Sequence, residues 1–574
     1  MNNLKKIFSK ISTPTKQEVR SAIQSFSKGR FSVFLIFLCV FFVSGISLLG
    51  TIVLRPFQVE IPVHGGVHRE GVVGNPRFVN PVLSSSNADK DVESLVFAGL
   101  ARKTREGSIV LDLAEDFSVS DDNLTYIFTI NKEAKFHDNT QVTAEDVVYT
   151  INQIQNPEIK SPKRVLWEGV EVTALDDVTV RFKLTQPFIG FLENTTTGIL
   201  PAHIWENIPD SEFAFASENI QAIGSGRYKI TSSTKSANGG VSSYSLKTAR
   251  QYIGDEPYIR KIKIRFFEDE ESALKALKNK DVYAVSGLSA SSIDKIPKNS
   301  SVYTATLHRM FGIFFNQESN PALADKRVRQ AINAAIDRQQ VIQYALGGFG
   351  EAITSPLPTT IQTNNKERTQ FELNTDRANA LLDQAGWSKT PNGTRIKQGS
   401  ELSFTLTTGS IKELERAAES IKQQLSDVGI TVTINILGTA DLNQNIIRPR
   451  NFEILLFGQI INQESDLFAF WHSSQTADPG LNISNYKNKT VDSDLEEIVQ
   501  TFDPNKRAIL YNDFEKQFFN DIPALFLYSP QLIYVVRGTL HNVELSPITN
   551  SSQRLLDMQE WYSQTDFVLP AFNK

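Results

Sequence analysis

The sequence predicts an α/β fold behind an N-terminal apolar helix, and three stretches carry that prediction. Residues 401–436 read as a strand (401–408), a helix with apolar Ile411, Leu414, Ala418, Ile421, Leu425 and Val428 stopped at Gly429, and a strictly alternating strand (430–436). That order makes a right-handed crossover with a parallel pair. Residues 310–350 open with an apolar run, Phe311 to Phe315, ended by Asn316. Asp325 then caps a helix whose Val328, Ala331, Ile332, Ala335 and Ile336 share one face, and a second helix runs from Asp337 to Gly347-Gly348. From Phe31 to Leu54 no charge interrupts a run rich in Phe, Leu, Ile and Val. At about 1.5 Å per residue such a helix spans the roughly 30 Å hydrocarbon layer with some tilt.

The chain has 574 residues, 40% hydrophobic and 21% charged, which is globular composition with room for two or three domains. A net charge of -5 gives no global basic surface for nucleic acid. The single cysteine, Cys39, lies in the apolar run, so neither an internal disulfide nor a thiolate metal cluster can form. Lys5, Lys6, Lys10, Lys16, Arg20, Lys28 and Arg30 precede the run, opposed only by Glu18. That asymmetry puts the N-terminus in the cytoplasm and everything after Arg55 outside. A cleavable signal peptide competes with an uncleaved anchor, but the cationic region and the apolar core are both too long and no A-x-A-like site follows. Ile36, Phe37 and Leu38 before Cys39 argue against lipoprotein processing.

Taken in order, the rest begins with a tether over residues 55–70, on which His64 and His68 form a solvated pair rather than a metal site. A short strand, a loop through Asn80-Pro81 and a helix with Val92, Leu95, Val96 and Leu100 on one face follow. Residues 124–130 make a strand, and His137-Asp138 sits at a turn rather than in a ligand set. Thr143 and Asp146 have the spacing of a capping box. A hairpin over 170–184 turns at Asp176-Asp177. Gly224 and Gly226 supply either positive φ or close backbone approach. Strands are expected around 243–247 and 261–267, a helix from Ser272 and a strand over 282–285. Beyond the opening stretches come a helix over 379–387, a strand over 452–457, a loop through residues 457–475, a helix started by Asp503-Pro504, and strands within 523–536 that cross back.

Several motifs stand in order: PRF-NP-LS with D--V--LVF-GL (76–100), DLAE---VSDD--TY-F-I----KFHD-T-VTAEDV (112–147), IGSGRYKI (223–230), and FN, DKRVRQAINAAIDR, ALGG-G and SPLP (315–358). Together they resemble the family 5 extracellular solute-binding proteins, the peptide-binding type of ABC importers. The resemblance implies a two-lobed periplasmic-binding-protein-like fold, the large three-domain variant of type II. The expected division is a basic tail (1–30), an anchor (31–54), the tether (55–70), lobe I (71–310, with a subdomain inserted at about 96–205), lobe II (311–522) and a return to lobe I (523–574). It also implies ligand contact near Asn80, although an Asn-Pro pair is equally a turn former, and near Asn316. In peptide-binding members a loop matching residues 458–466 carries an Asp that pairs with the ligand's α-amino group. Aligned on Gly458, that Asp falls on Asn462 and the family's Trp on Gln459. A neutral amide cannot give the charge-assisted pairing of a carboxylate. Either Glu464 or Asp466 substitutes, or the ligand is not a free-amine peptide, or both acids merely solvate a loop.

No nucleophile elbow, HExxH, Walker loop or dinucleotide fingerprint is present, so no enzyme, metal or cofactor is expected. The expectation is a monomeric, single-pass receptor with an extracytoplasmic C-terminal domain, handing a peptide or other small solute to ABC permease subunits. Rivals are a peptide chaperone, sensor or scaffold on the same fold, and a hydrolase hidden in the cleft.

Overall fold

The computed structural model describes residues 15–25, 28–54, 58–236, 239–358, 361, 372–461 and 466–568. It comprises two compact units, Met1–Val63 with Gln564–Lys574, and His64–Ser563.

The first unit contains a helix Lys16–Ser25, a 27-residue helix Lys28–Leu54, and a strand Val59–Pro62 paired antiparallel with Thr565–Val568. The side chains described on the long helix run from residue 32 to 46, with Phe37 and Phe41 among the exposed ones. Among the described residues no helix is long and apolar enough to cross a membrane. The expected tether is corrected here: residues 59–62 pair as a strand, and the second unit's first core strand begins at Gly65.

The second unit is built on one twelve-stranded sheet, within which two apolar cores define the lobes. In lobe I the strands Gly65–Val73, Ile259–Phe267, Val241–Thr248, Tyr228–Lys235 and Ala284–Ser286 lie together. Their inward residues, such as Val72, Ile262, Ile264 and Phe266, alternate with solvent-facing Lys261 and Lys263, the period of two of a half-covered sheet. His68 is on the inward side, buried at 6% exposure and donating through Nε2 to Glu70 at 2.7 Å, so the solvated reading is overturned for His68, while His64 is exposed. A four-stranded sheet stands apart from the large one in this lobe, in the order Ala114–Val119, Thr125–Ile130, Thr179–Lys183, Glu171–Ala174.

In lobe II the strands Ser403–Gly409 and Thr431–Leu437 pair in parallel across the helix Lys412–Asp427, and Ile454–Ile460 joins them to Arg309–Phe315. Local chemistry fixes the ends of the helices. Asp325 accepts from Arg327 N, Asp337 from Gln339 N and Gln340 N, and Gly347 closes the second helix at φ 58. The expected loop over 457–475 is corrected: the strand continues to Ile460, and a short helix Asp466–Trp471 buries Trp471 against Phe314, Phe518 and Phe526.

The glycines of IGSG act by close approach and not by positive φ. A Cβ on Gly224 would stand 2.1 Å from Val96 O, and one on Gly226 2.7 Å from Leu95 O. Both clasp the end of the helix Asn87–Val96.

Candidate functional site

Two chain segments pass between the lobes, side by side. One is Ser300–Thr306 in lobe I, which continues through Leu307-His308 into Arg309–Phe315 of lobe II. The other is the single 14-residue strand Ala524–Arg537. Its first half pairs with Phe311–Phe314 and its second with Ser300–Thr306 and Ala284–Ser286. The changeover falls at Pro530, opposite Gly350, where a residue without an N–H costs the ladder least. Leu307 N donates to Pro530 O at 2.8 Å, His308 N to Ile548 O at 2.8 Å, and Ile461 N to His308 O at 3.2 Å.

Against this junction lies a cleft of about 550 Å³, within the range that holds small-molecule ligands. Lobe I lines it with Lys103, Arg105, Glu193 and residues of 544–557, lobe II with Pro358, Ile461 and Arg507, and the junction itself with His308. Charges on the lobe I wall answer one another: Lys103 meets Glu193 at 2.8 Å, and Arg105 meets Glu544 at 2.8 Å and Asp557 at 3.6 Å. His308 is half-buried, and burial, aided by Lys103, pushes its imidazole below the usual range, so it stays neutral at pH 7. Its shielded Nε2 has no partner. These groups offer hydrogen bonds and paired charge, with no nucleophile activated by a base. Among the described residues no group of His, Cys, Asp and Glu has the geometry of a metal site.

The residues singled out by sequence fall in different places. Gly458 lies opposite Phe311, and a Cβ there would stand 2.7 Å from the Phe311 ring, which stacks on Tyr528 at 5.2 Å. Gln459 lies opposite Met310, 4% exposed, its Oε1 buried without a partner. Ile461 is on the cleft wall and Asp466 opens the short helix after it. Asn462 and Glu464 lie outside the described residues. Asn316 is at the other end of the same pair of strands, five residues beyond Phe311 or about 17 Å away, where its Nδ2 donates to Arg450 O at 2.8 Å. Asn80 is fully buried in lobe I: Nδ2 donates to Asn219 Oδ1 at 3.0 Å and Oδ1 accepts from Val82 N at 2.8 Å. Its carboxamide is therefore committed to the turn. Sequence reasoning missed Lys103, Arg105, His308 and Arg507. Only His308 had a signal, since His308-Arg309 interrupts two strand-like runs at the place where the chain changes lobe.

A family model described as bacterial extracellular solute-binding proteins, family 5 Middle, matches residues 108–480. The oligopeptide-binding protein AppA of Bacillus subtilis is 28% identical over 513 residues, covering 87% of this chain and 92% of that protein. The structure of AppA from Bacillus subtilis in complex with a nonapeptide matches with a TM-score of 0.65 at 27% identity, covering 88% of this chain and all of that one. The ABC transporter substrate-binding protein CtaP of Listeria monocytogenes matches with a TM-score of 0.72 at 26% identity, over 87% and 99% of the two chains.

Proposed function

The chain belongs to the bacterial extracellular solute-binding proteins of family 5, and from that premise we propose that it is the receptor of an ABC importer. In this reading it is anchored by its N-terminal helix on the outer face of the membrane and takes a peptide between its lobes without transforming it. One observation carries the reading: a single sheet runs through both lobes, and the cleft lies against the two segments that join them. Rotation about Leu307-His308 and Ser529-Pro530 needs φ/ψ changes in only a few residues, which is how hinged lobes close on a ligand. Closure removes water from the cleft and strengthens each polar contact made there.

Within this proposal Gly458, Gln459, Asn462, Glu464 and Asp466 meet the ligand from lobe II. The oligopeptide-binding relative and the nonapeptide in the similar structure support a peptide. The anchor rests on the uncharged run from Phe31 to Leu54 and the cations before it.

Mass spectrometry of small molecules released from the purified, denatured protein tests the peptide reading. Short peptides are expected; a uniform non-peptide solute would leave a solute receptor with a different cargo. Co-purification with a permease separates the importer from a chaperone, sensor or scaffold. N-terminal sequencing of the exported form tests the anchor, since a start after Leu54 would contradict it.

A further inference from the structure

We infer that the bare face of the lobe I sheet, where Arg69, Lys247, Lys261, Lys263 and Arg265 stand together, docks on the anionic phospholipid headgroups of the membrane that anchors the chain. The inference takes the anchored reading as its premise and is independent of which solute the cleft holds.

Strand register lays out this face. Lys247 lies opposite Lys261 across the antiparallel pair of Val241–Thr248 and Ile259–Phe267. Lys263 lies beside Arg69 across the parallel pair of Ile259–Phe267 and Gly65–Val73. Arg265 continues the row of Lys261 and Lys263 toward Phe267. Residues two apart on a strand point the same way, so the five share one side of the sheet in a patch about 14 Å long and 10 Å wide. On that side the helix Glu270–Asn279 covers only the end toward Phe267, where Ala273 and Leu277 join Phe267 and Val285 in one core. Away from that end Arg69, Lys247, Lys261 and Lys263 are exposed.

A trough of about 540 Å³ opens in this face, lined by Arg69, Lys263, Arg265 and the hydroxyl-bearing Thr234, Ser242 and Ser243. Aromatic rings hold its guanidinium groups: Arg69 stands 5.5 Å from the Tyr283 ring and Arg265 5.3 Å from that of Phe267. Among the described residues the only acid within ion-pair distance of the five cations is Asp281, 3.7 Å from Arg265. Like charges held opposite one another weaken a sheet, and this sheet holds two such pairs in a chain whose net charge is -5. Phosphate groups above them would remove that repulsion, and guanidinium forks with neighbouring hydroxyls suit phosphate. Connectivity favours a bilayer as their source. Only residues 55–64 separate the uncharged run ending at Leu54 from Gly65, a connection that reaches no more than about 40 Å. Cations held so near an anionic membrane are drawn to it. Exposed Val67 and Tyr283 beside them add the apolar and aromatic contacts of an interfacial surface.

The test uses the full-length protein on a Cys39→Ser background with a donor dye at Ser232→Cys, an exposed position paired with Ser245 at the edge of the face. It is placed in nanodiscs of phosphatidylcholine alone or mixed equally with phosphatidylglycerol, with an acceptor dye on the headgroups. Energy transfer should be at least twofold higher in the anionic discs. It should fall to the phosphatidylcholine level in Lys261→Glu with Lys263→Glu, and in salt that shortens the Debye length to about 3 Å. It should hold in the lobe II control Lys487→Glu with Lys489→Glu, whose lysines are likewise exposed. Equal transfer in the two lipids, or transfer kept by the Lys261 and Lys263 variant, would overturn the docking. Tight binding of soluble polyphosphate without lipid-dependent transfer would also overturn it, giving the face to a soluble anion. If the protein does not enter nanodiscs, the anchored reading fails, and sedimentation with vesicles of the same two compositions judges the face by itself. Binding at least tenfold tighter to the anionic vesicles, lost in the same variant, keeps the lipid surface; equal binding overturns it.

Discussion

His137, a residue that sequence alone offers as a base or a metal ligand, is bonded on both ring nitrogens to one loop. Its Nε2 donates to Gly226 O at 2.9 Å, and Nδ1 accepts from Gly224 N at 3.4 Å. The KFHD and IGSG motifs are thus two sides of one joint, which explains their pairing without any chemistry. Burial depresses the imidazole from 6.5 to about 4, against the pull of the Gly226 carbonyl. A depressed histidine contributes stability that is whole above 6.5 and is lost as pH falls toward 4, because the unfolded chain binds the proton first. Denaturant unfolding should show a loss on the order of 3 kcal/mol across that window, and His137→Gln should flatten it.

A second buried cluster holds the strand Gly65–Val73 to the C-terminal segment. Arg554 meets Asp91 at 2.7 Å and Glu70 at 2.8 Å, and the Tyr534 hydroxyl donates to Glu70 at 2.9 Å. Burial pushes the Glu70 carboxyl up, but Arg554 and His68 outweigh it and hold it at about 2. Arg554→Met leaves two carboxylates buried without their cation and should cost about 3–5 kcal/mol in denaturant unfolding. A loss under 1 kcal/mol would mean that water enters the cluster. No local pattern signals this network, since His68, Glu70, Asp91, Tyr534 and Arg554 meet from four distant segments.

Among the elements, what local chemistry decides was readable and what partners decide was not. Asp325, Asp337 and Asp503 cap their helices, and Thr143 with Asp146 forms its box, because each acts within three residues of itself. The strands of the crossover pair in parallel as their periodicity required. By contrast, 523–536 read as strands in the plural because Pro530 is normally a breaker. Pairing with a different partner on each side of that proline makes one strand of it. The helix Asp466–Trp471 escaped notice because six residues carry too little periodicity, and its place is set by the Trp471 contacts.

Glycine substitutions test the close approaches at this scale. Gly224→Ala drives a Cβ into a backbone oxygen of a helix that cannot yield alone, while Gly458→Ala meets a ring that can tilt off Tyr528. Gly458→Ala should cost about 1–3 kcal/mol and Gly224→Ala more, as read from denaturation midpoints. The reverse order would show that the helix Asn87–Val96 is looser than its packing implies.

On the scale of the molecule, the two-lobed α/β fold was legible because its motifs stand in order along most of the chain, and family and structure agree on it. The cleft was not, because its walls come from segments hundreds of residues apart, such as Lys103 and Glu544, that no periodicity links. The central claim is that the lobes close on a peptide about the paired junctions. Spin labels at exposed Phe215 of lobe I and Ile509 of lobe II, on a Cys39→Ser background, report the distance between lobes by pulsed electron paramagnetic resonance. Adding a saturating mixture of short peptides should shift the distribution to a shorter and narrower one, with the peptides recovered intact. An unchanged distribution while peptide is bound, or peptides returned cleaved, would contradict the account.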